Sequence, residues 1–279
     1  MLVGITNLMI QSKNAYYMDI PKTATSYLEN CLHHVCEPAT LMYHTNLQVN
    51  GVQAIVNLAA KHYMLDNFPI EYAMHSKHGW LQQNSITDYT DKLFYTSIRN
   101  PWEYYVSEYV YSHTHEWRQS FMEEHRDKDF EFWLKNLYTR KLKDGNTIGS
   151  LTNKIILFTD TKFQEKDLSL KEIEQWFDKT YFNDNLRKLI GITDNLGKEF
   201  CELVREHSDK FDLDYENKLD EIVNSDKTFT SYVYKKRWHN INKIMDNNYQ
   251  AYYYKQELID IVYNNDKMLI DRYNFKPEW

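Results

Sequence analysis

Between Tyr16 and Val35 a short apolar run, a turn of lysine and hydroxyls, and a helical repeat follow one another. No other stretch limits the possible folds as much. Tyr16-Tyr17-Met18-Asp19-Ile20 has the length and bulk of a buried strand. Pro21 ends it, because proline has no N–H to give to a ladder. Tyr27, Leu28, Cys31, Leu32 and Val35 then repeat at helical spacing. Thr25 or Ser26 can cap that helix, and Glu29 follows Ser26 in a capping-box pattern. Lys22, Thr23, Ala24, Thr25 and Ser26 fill the turn. Such a turn aims backbone N–H groups and the positive end of a helix at one point. A lysine and several hydroxyls converge there, which makes an anion site, and phosphate is the usual anion. The same hydroxyls also serve plain helix capping, and the GxxxxGK[ST] pattern of a Walker loop is absent.

A second stretch repeats the logic. Leu93 to Ile98 has the pattern of another buried strand, Arg99-Asn100 stands at its end, and Pro101 fits the first turn of a helix. Trp102, Tyr105, Val106 and Tyr109 form that helix's apolar face. Ser107 comes two helical turns into it. Arg99 and Ser107 share a ligand group only if the helix runs back past the strand end; otherwise Arg99 is a surface ion-pair residue.

Together the two stretches resemble the PAPS-dependent sulfotransferases, in particular the carbohydrate branch with its Golgi-type and bacterial members. PKTATSYL is similar to the family's PKTGTTSL-like loop at Pro21, Lys22, Thr23, Thr25, Ser26 and Leu28, and departs from it at Ala24 and Tyr27. RNPWEYYVSEY is similar to RNPWDRLVSLY at Arg99, Asn100, Pro101, Trp102, Val106, Ser107 and Tyr109. It departs at Tyr104, where the family often has arginine. Ser76 to Asn84 is similar to the branch's KHAT-type segment, and the stretch around Tyr252 to Tyr273 to its closing helix.

The resemblance implies one sulfotransferase domain over residues 1–279. It implies a P-loop-like three-layer α/β fold with a central, mostly parallel sheet flanked by helices. A helical insert is expected around 113–147 and a C-terminal helix around 252–273. The resemblance also implies a co-substrate, PAPS, with 3′,5′-ADP as product and no metal requirement. Lys22, Thr23, Ala24, Thr25, Ser26 and Tyr27 would form the 5′-phosphosulfate loop. Arg99 and Ser107 would hold the 3′-phosphate, and Lys235, Lys236 and Arg237 would supply a basic loop over it. The acceptor would be a hydroxyl, on a saccharide in this branch.

Two histidines bear on the chemistry. Ile70 to Met74 has the pattern of a short strand, with His75 and His78 after its end. Loops past strand C-termini line the ligand crevice of open α/β sheets. Sulfuryl transfer to a hydroxyl needs a base, and imidazole titrates in the useful range. His78 matches the family's KH position, and His75 is its competitor. Both histidine positions also suit residues that simply tie down a loop, in a chain with 11 His.

A length of 279 residues and 42% hydrophobic content are enough for a sizeable core. The net charge of −7 argues against non-specific nucleic-acid binding, which needs a basic field, but leaves room for a local basic cleft. Cys31, Cys36 and Cys201 form no disulfide framework and no metal-ligand pair, which fits a reduced, cytoplasmic setting. Met1 to Ile10 is too short to span a bilayer and reads as a leading strand, and no transmembrane segment is expected.

Elsewhere the periodicity predicts a loop over 36–50, a helix over 51–65, and one or two amphipathic helices over 113–140. It predicts a loop over 141–150, a third sheet strand over 151–158, helices over 171–177 and 185–190, and a solvated helix pair over 199–220. Two other functions use the same strand–turn–helix logic. A P-loop-like nucleotide or sugar kinase would add magnesium ligands and ATP dependence. A catalytically decayed glycan-binding protein of the same fold would keep the shape without turnover.

Overall fold

A computed structural model describes residues 3–18, 20, 25–36, 41–49, 52–59, 91–114, 129–137, 139–159, 167–182, 186–191, 196–213, 217–224 and 249–277. It is an α/β structure with a mixed sheet and helices. By its internal contacts the chain divides into two compact units. One comprises Met1–Ile98, Leu157–Phe163 and Phe177–Ser231, and the other Arg99–Ile156, Gln164–Trp176 and Tyr232–Trp279.

The first unit is built on a six-stranded sheet. In chain order its strands are β1 (Val3–Ser12), β2 (Ala15–Met18), β3 (Met42–Val49), β4 (Val52–Ala59), β5 (Leu93–Ile98) and β8 (Arg187–Gly191), and across the sheet they lie in the order β4-β3-β1-β2-β5-β8. β2, β5 and β8 run parallel, whereas β1–β2, β1–β3 and β3–β4 are antiparallel. The sheet is therefore mixed rather than mostly parallel. The reason is connection length. Ser12 pairs with Ala15 and Val49 with Val52, so in each of these pairs only two residues separate the strand ends along the chain. A parallel crossover needs a dozen residues or more. At the first of these turns Lys13 takes a left-handed φ of 50°, and Gln11 Nε2 donates to its carbonyl at 2.8 Å.

Helix α1 (Thr25–Val35) follows β2, and α6 (Leu196–Glu206) and α7 (Asn217–Asn224) follow β8. They share one core with the sheet. Tyr17 and Tyr95 bury their rings with Leu28, Cys31, Leu32 and Val35 of α1, Phe200 and Val204 of α6, and Leu219 and Ile222 of α7. Register explains the ring pairs. Tyr16 stands opposite Phe94 and Tyr17 opposite Tyr95, with centroids 4.9 and 5.4 Å apart. Because successive residues of a strand face opposite sides, the two pairs fasten β2 to β5 on both faces.

The second unit holds α2 (Pro101–Thr114), α3 (Phe130–Lys135), a short hairpin β6 (Arg140–Lys141) and β7 (Thr147–Ile148), and the first turns of α4 (Ser150–Thr159). It also holds most of α5 (Leu170–Phe177), a 3-10 turn (Tyr249–Tyr252) and α8 (Gln256–Tyr273).

Several expectations change. Residues 42–49 are strand rather than loop, and 52–59 strand rather than helix. Val52, Ile55 and Val56 are β-branched, and Asn50-Gly51 is the commonest hairpin dipeptide. Residues 150–159 are helix rather than strand, because a short apolar run is ambiguous by periodicity and Gly149 accepts the first helical bond, from Asn153 N at 2.9 Å. The third parallel strand is instead 187–191, where a helix was expected. The loop predicted over 141–150 is pinned by the β6–β7 hairpin, with Gly145 at a φ of 82° in its turn. The pair over 199–220 is not solvated on every side, since Phe200, Cys201, Val204 and Leu219 are buried. The leading strand, the strands around 16–20 and 93–98 and the helix over 171–177 are present, and the C-terminal helix starts at Gln256 rather than at residue 252.

Candidate functional site

β2 ends at Met18, Ile20 is buried, and α1 begins at Thr25. Lys22, Thr23 and Ala24 lie outside the described residues. Thr25 and Ser26 are the first two residues of the helix. Tyr27 lies in the first turn of α1. Its hydroxyl neighbours the Cys31 thiol, and a side chain at Gly197 would run into it. Burial pushes the Tyr27 phenol and the Cys31 thiol well up, and the Cys201 thiol to about 11. The departure at Tyr27 therefore packs its hydroxyl end against Gly197 of α6.

The second turn is described in full. Asn100 caps α2: its Oδ1 accepts from Trp102 N at 3.2 Å and its carbonyl from Tyr104 N at 2.9 Å. Pro101 takes the first helical position, where no N–H is needed. Asn100 Nδ2 also donates to the carbonyl of Lys276 at 2.6 Å. Asn100 and Pro101 of the RNPW segment thus do structural work and leave Arg99 as its chemical group.

Arg99 is held on two sides. Its Nε donates to Glu103 Oε2 at 3.0 Å, and its Nη2 donates to the Tyr249 hydroxyl at 2.7 Å. The guanidinium also lies over the Tyr249 ring, 5.7 Å from the centroid. Its side chain is 17% exposed, so this cation is neither a fully solvated surface group nor sealed away. Glu103 sits in the first turn of α2, where a carboxylate suits the helix dipole. Ser107 is half-buried further along α2.

Tyr249 is itself anchored. It begins the 3-10 turn whose neighbour Tyr253 donates its hydroxyl to the carbonyl of Trp102 at 2.7 Å. The Tyr252 ring packs edge-on against Phe130 at 5.4 Å and Tyr109 at 6.0 Å. Glu103 was within reach of the sequence as an i,i+4 partner of Arg99. Tyr249 was not, because 150 residues separate it from Arg99.

The departure at Tyr104 has a local answer. Tyr104 is fully buried, and Lys154 of α4 donates its ammonium to the Tyr104 hydroxyl at 2.5 Å while standing 3.8 Å from Glu108. A cation therefore reaches this spot from α4 instead of from position 104.

Behind these residues lies a buried polar knot. Asp266 is fully buried at a kink in α8, with φ −116° and ψ 25°. Its Oδ1 accepts from Thr152 N at 2.8 Å and Thr152 Oγ1 at 2.6 Å, and its Oδ2 accepts from the Tyr105 hydroxyl. Gly149 leaves it room: a Cβ there would stand 2.5 Å from both Asp266 Oδ2 and the Tyr105 oxygen. Gly149→Ala is expected to cost about 1–3 kcal/mol, since neither neighbour has a flexible end that can move aside. Urea denaturation gives the number.

His75, His78, Lys235, Lys236 and Arg237 lie outside the described residues. Among the described residues no three of His, Cys, Asp and Glu gather as metal ligands, and no helix is long and apolar enough to cross a membrane. No protein-family model, curated protein or solved structure matches this chain.

Proposed function

We propose that this protein is a PAPS-dependent sulfotransferase that moves a sulfuryl group to an acceptor hydroxyl, most simply on a saccharide. The observation that carries the proposal is the pairing of β2 with β5. They are parallel neighbours in register, Ala15 opposite Leu93 and Tyr17 opposite Tyr95. Each is followed in chain order by a helix, α1 after β2 and α2 after β5. Neighbouring strands stand about 4.8 Å apart. β2 and β5 therefore end on the same edge of the sheet, the edge where α/β sheets bind ligands, and in sequence the lysine-hydroxyl segment follows β2 as Arg99 follows β5. A partly buried, oriented arginine following β5 supports a phosphate contact, because its fork matches phosphate oxygens.

The residues then divide the work. Lys22, the N–H groups of the turn and the hydroxyls of Thr23, Thr25 and Ser26 hold the 5′-phosphosulfate. Lys22 offsets the charge that grows on the bridging oxygen as the S–O bond to the phosphate breaks. Arg99 and Ser107 hold the 3′-phosphate, with Lys235, Lys236 and Arg237 as further cations. The acceptor oxygen forms the new bond to sulfur and gives its proton to His78, or to His75 in its place. Positioning in line carries much of the rate.

Calorimetry tests this. The wild-type protein should bind 3′,5′-ADP without magnesium and prefer it to ATP with magnesium. Lys22→Ala and Arg99→Ala should each weaken 3′,5′-ADP by about 10- to 100-fold, the size of one charge-assisted contact. Tighter binding of magnesium-ATP would favour a kinase, and unchanged affinity in both variants would remove the assignment.

A further inference from the structure

We propose that the Tyr249 hydroxyl is a second donor to the 3′-phosphate, set beside Arg99 so that the two together read that group. The inference rests on the sulfotransferase assignment and adds to it a residue that no motif contains. It follows from where the protons must be. Arg99 Nη2 donates to the Tyr249 oxygen at 2.7 Å, and a guanidinium has no acceptor to offer in return. The phenol's own proton therefore points away from Arg99, toward whatever acceptor lies beyond.

The geometry of Arg99 narrows where that acceptor stands. Its Nε edge is taken by Glu103 at 3.0 Å, so the fork cannot rotate to present that edge. The remaining donors are at the Nη end, which is the end that the Tyr249 oxygen touches. An anion seated on the Nη end meets the phenol proton at the same time. A phosphate, with three acceptor oxygens, can take both donors; a ribose hydroxyl, with one oxygen, cannot span them. Burial raises the Tyr249 phenol above its ordinary value, which keeps it protonated and able to donate at neutral pH. The ring is fixed by the Tyr253–Trp102 bond and the packing of Tyr252, so the hydroxyl is in place before ligand arrives.

The experiment compares Tyr249→Phe with wild type for two ligands, 3′,5′-ADP and 5′-AMP, which lacks the 3′-phosphate. The variant keeps the ring over Arg99 and removes one oxygen. Calorimetry should show about a 10-fold weaker 3′,5′-ADP and a 5′-AMP affinity within twofold of wild type, with an unchanged melting curve. Equal 3′,5′-ADP affinity in variant and wild type would overturn the inference while Arg99→Ala still upheld the assignment. An equal loss for both nucleotides would also overturn it, because Tyr249 would then only support the fold around Arg99. A wild-type protein that fails to prefer 3′,5′-ADP over 5′-AMP would instead remove the assignment itself.

Discussion

Asp266→Ala is expected to destabilise the protein by about 3–5 kcal/mol, the largest single-residue effect on folding that this structure implies. Three helices meet at this carboxylate: α8 supplies it, α4 brings Thr152 and α2 brings Tyr105. Alanine leaves one backbone N–H and two hydroxyls without their acceptor in a place with no water access. Each orphaned donor costs about 1–3 kcal/mol, reduced where the hydroxyls can turn elsewhere. Asp266→Asn should cost about 1 kcal/mol, since its carbonyl oxygen can still serve Thr152 while Tyr105 turns its hydroxyl to accept. Urea denaturation of the two variants at pH 7 decides it. A loss under about 1 kcal/mol for alanine would mean that water replaces the carboxylate. The pH dependence has a definite sign. Burial, the largest influence, raises the Asp266 pKa above its unfolded value, against the pull of Thr152 and Tyr105. The folded state therefore holds this proton more tightly. Its contribution is fully present below the unfolded pKa of about 3.9 and is lost as pH rises through the folded value. Acid unfolding should not begin at Asp266, and Asp266→Asn should flatten stability against pH on the alkaline side of that range.

The parts of the fold that the chain spells out locally are those where one signal stands alone. Proline after a bulky run marked the end near Ile20, and Asn100-Pro101 marked the start of α2, because capping and a missing N–H act within a few residues. Segments 151–158 and 187–191 exchanged their expected states. Both are short and apolar, and their state is set by distant partners. Asp266 receives the N-terminus of α4, and β5 offers Phe94 to Ile98 as a ladder for β8. Propensity is a weak prior against such partners. The β3–β4 hairpin is a different failure, since Asn50-Gly51 carried the turn chemistry and the helical spacing of Val52, Ile55, Val56 and Ala59 masked it. At the candidate site the strand before Arg99 and the helix after it were legible, and Glu103 was within reach as an i,i+4 partner of Arg99. Tyr249 and Asp266 were not, because a residue 150 positions away leaves no local trace of the group it will touch.

His78→Ala is expected to lower turnover by about 10²–10⁴-fold while leaving 3′,5′-ADP affinity within twofold. The size follows from what a base does in this reaction. The acceptor hydroxyl is too weak an acid to lose its proton before attack, so the proton must leave as the new S–O bond forms. Removing the group that takes it raises the barrier by about 3–5 kcal/mol at 1.36 kcal/mol per decade. Nucleotide binding is spared because His78 would touch the acceptor and not the phosphates. The base works as a neutral imidazole, so wild-type turnover should fall toward acid pH, and the variant should lose that acid limb. Turnover of radiolabelled PAPS onto a saccharide library gives the rate, and the same samples in calorimetry give the affinity. Full turnover in His78→Ala with an acid limb intact would move the role to His75, whose alanine variant then shows the loss. If both single variants and the double variant turn over at the wild-type rate, no imidazole in this segment takes the proton, and the base must be sought in another part of the chain.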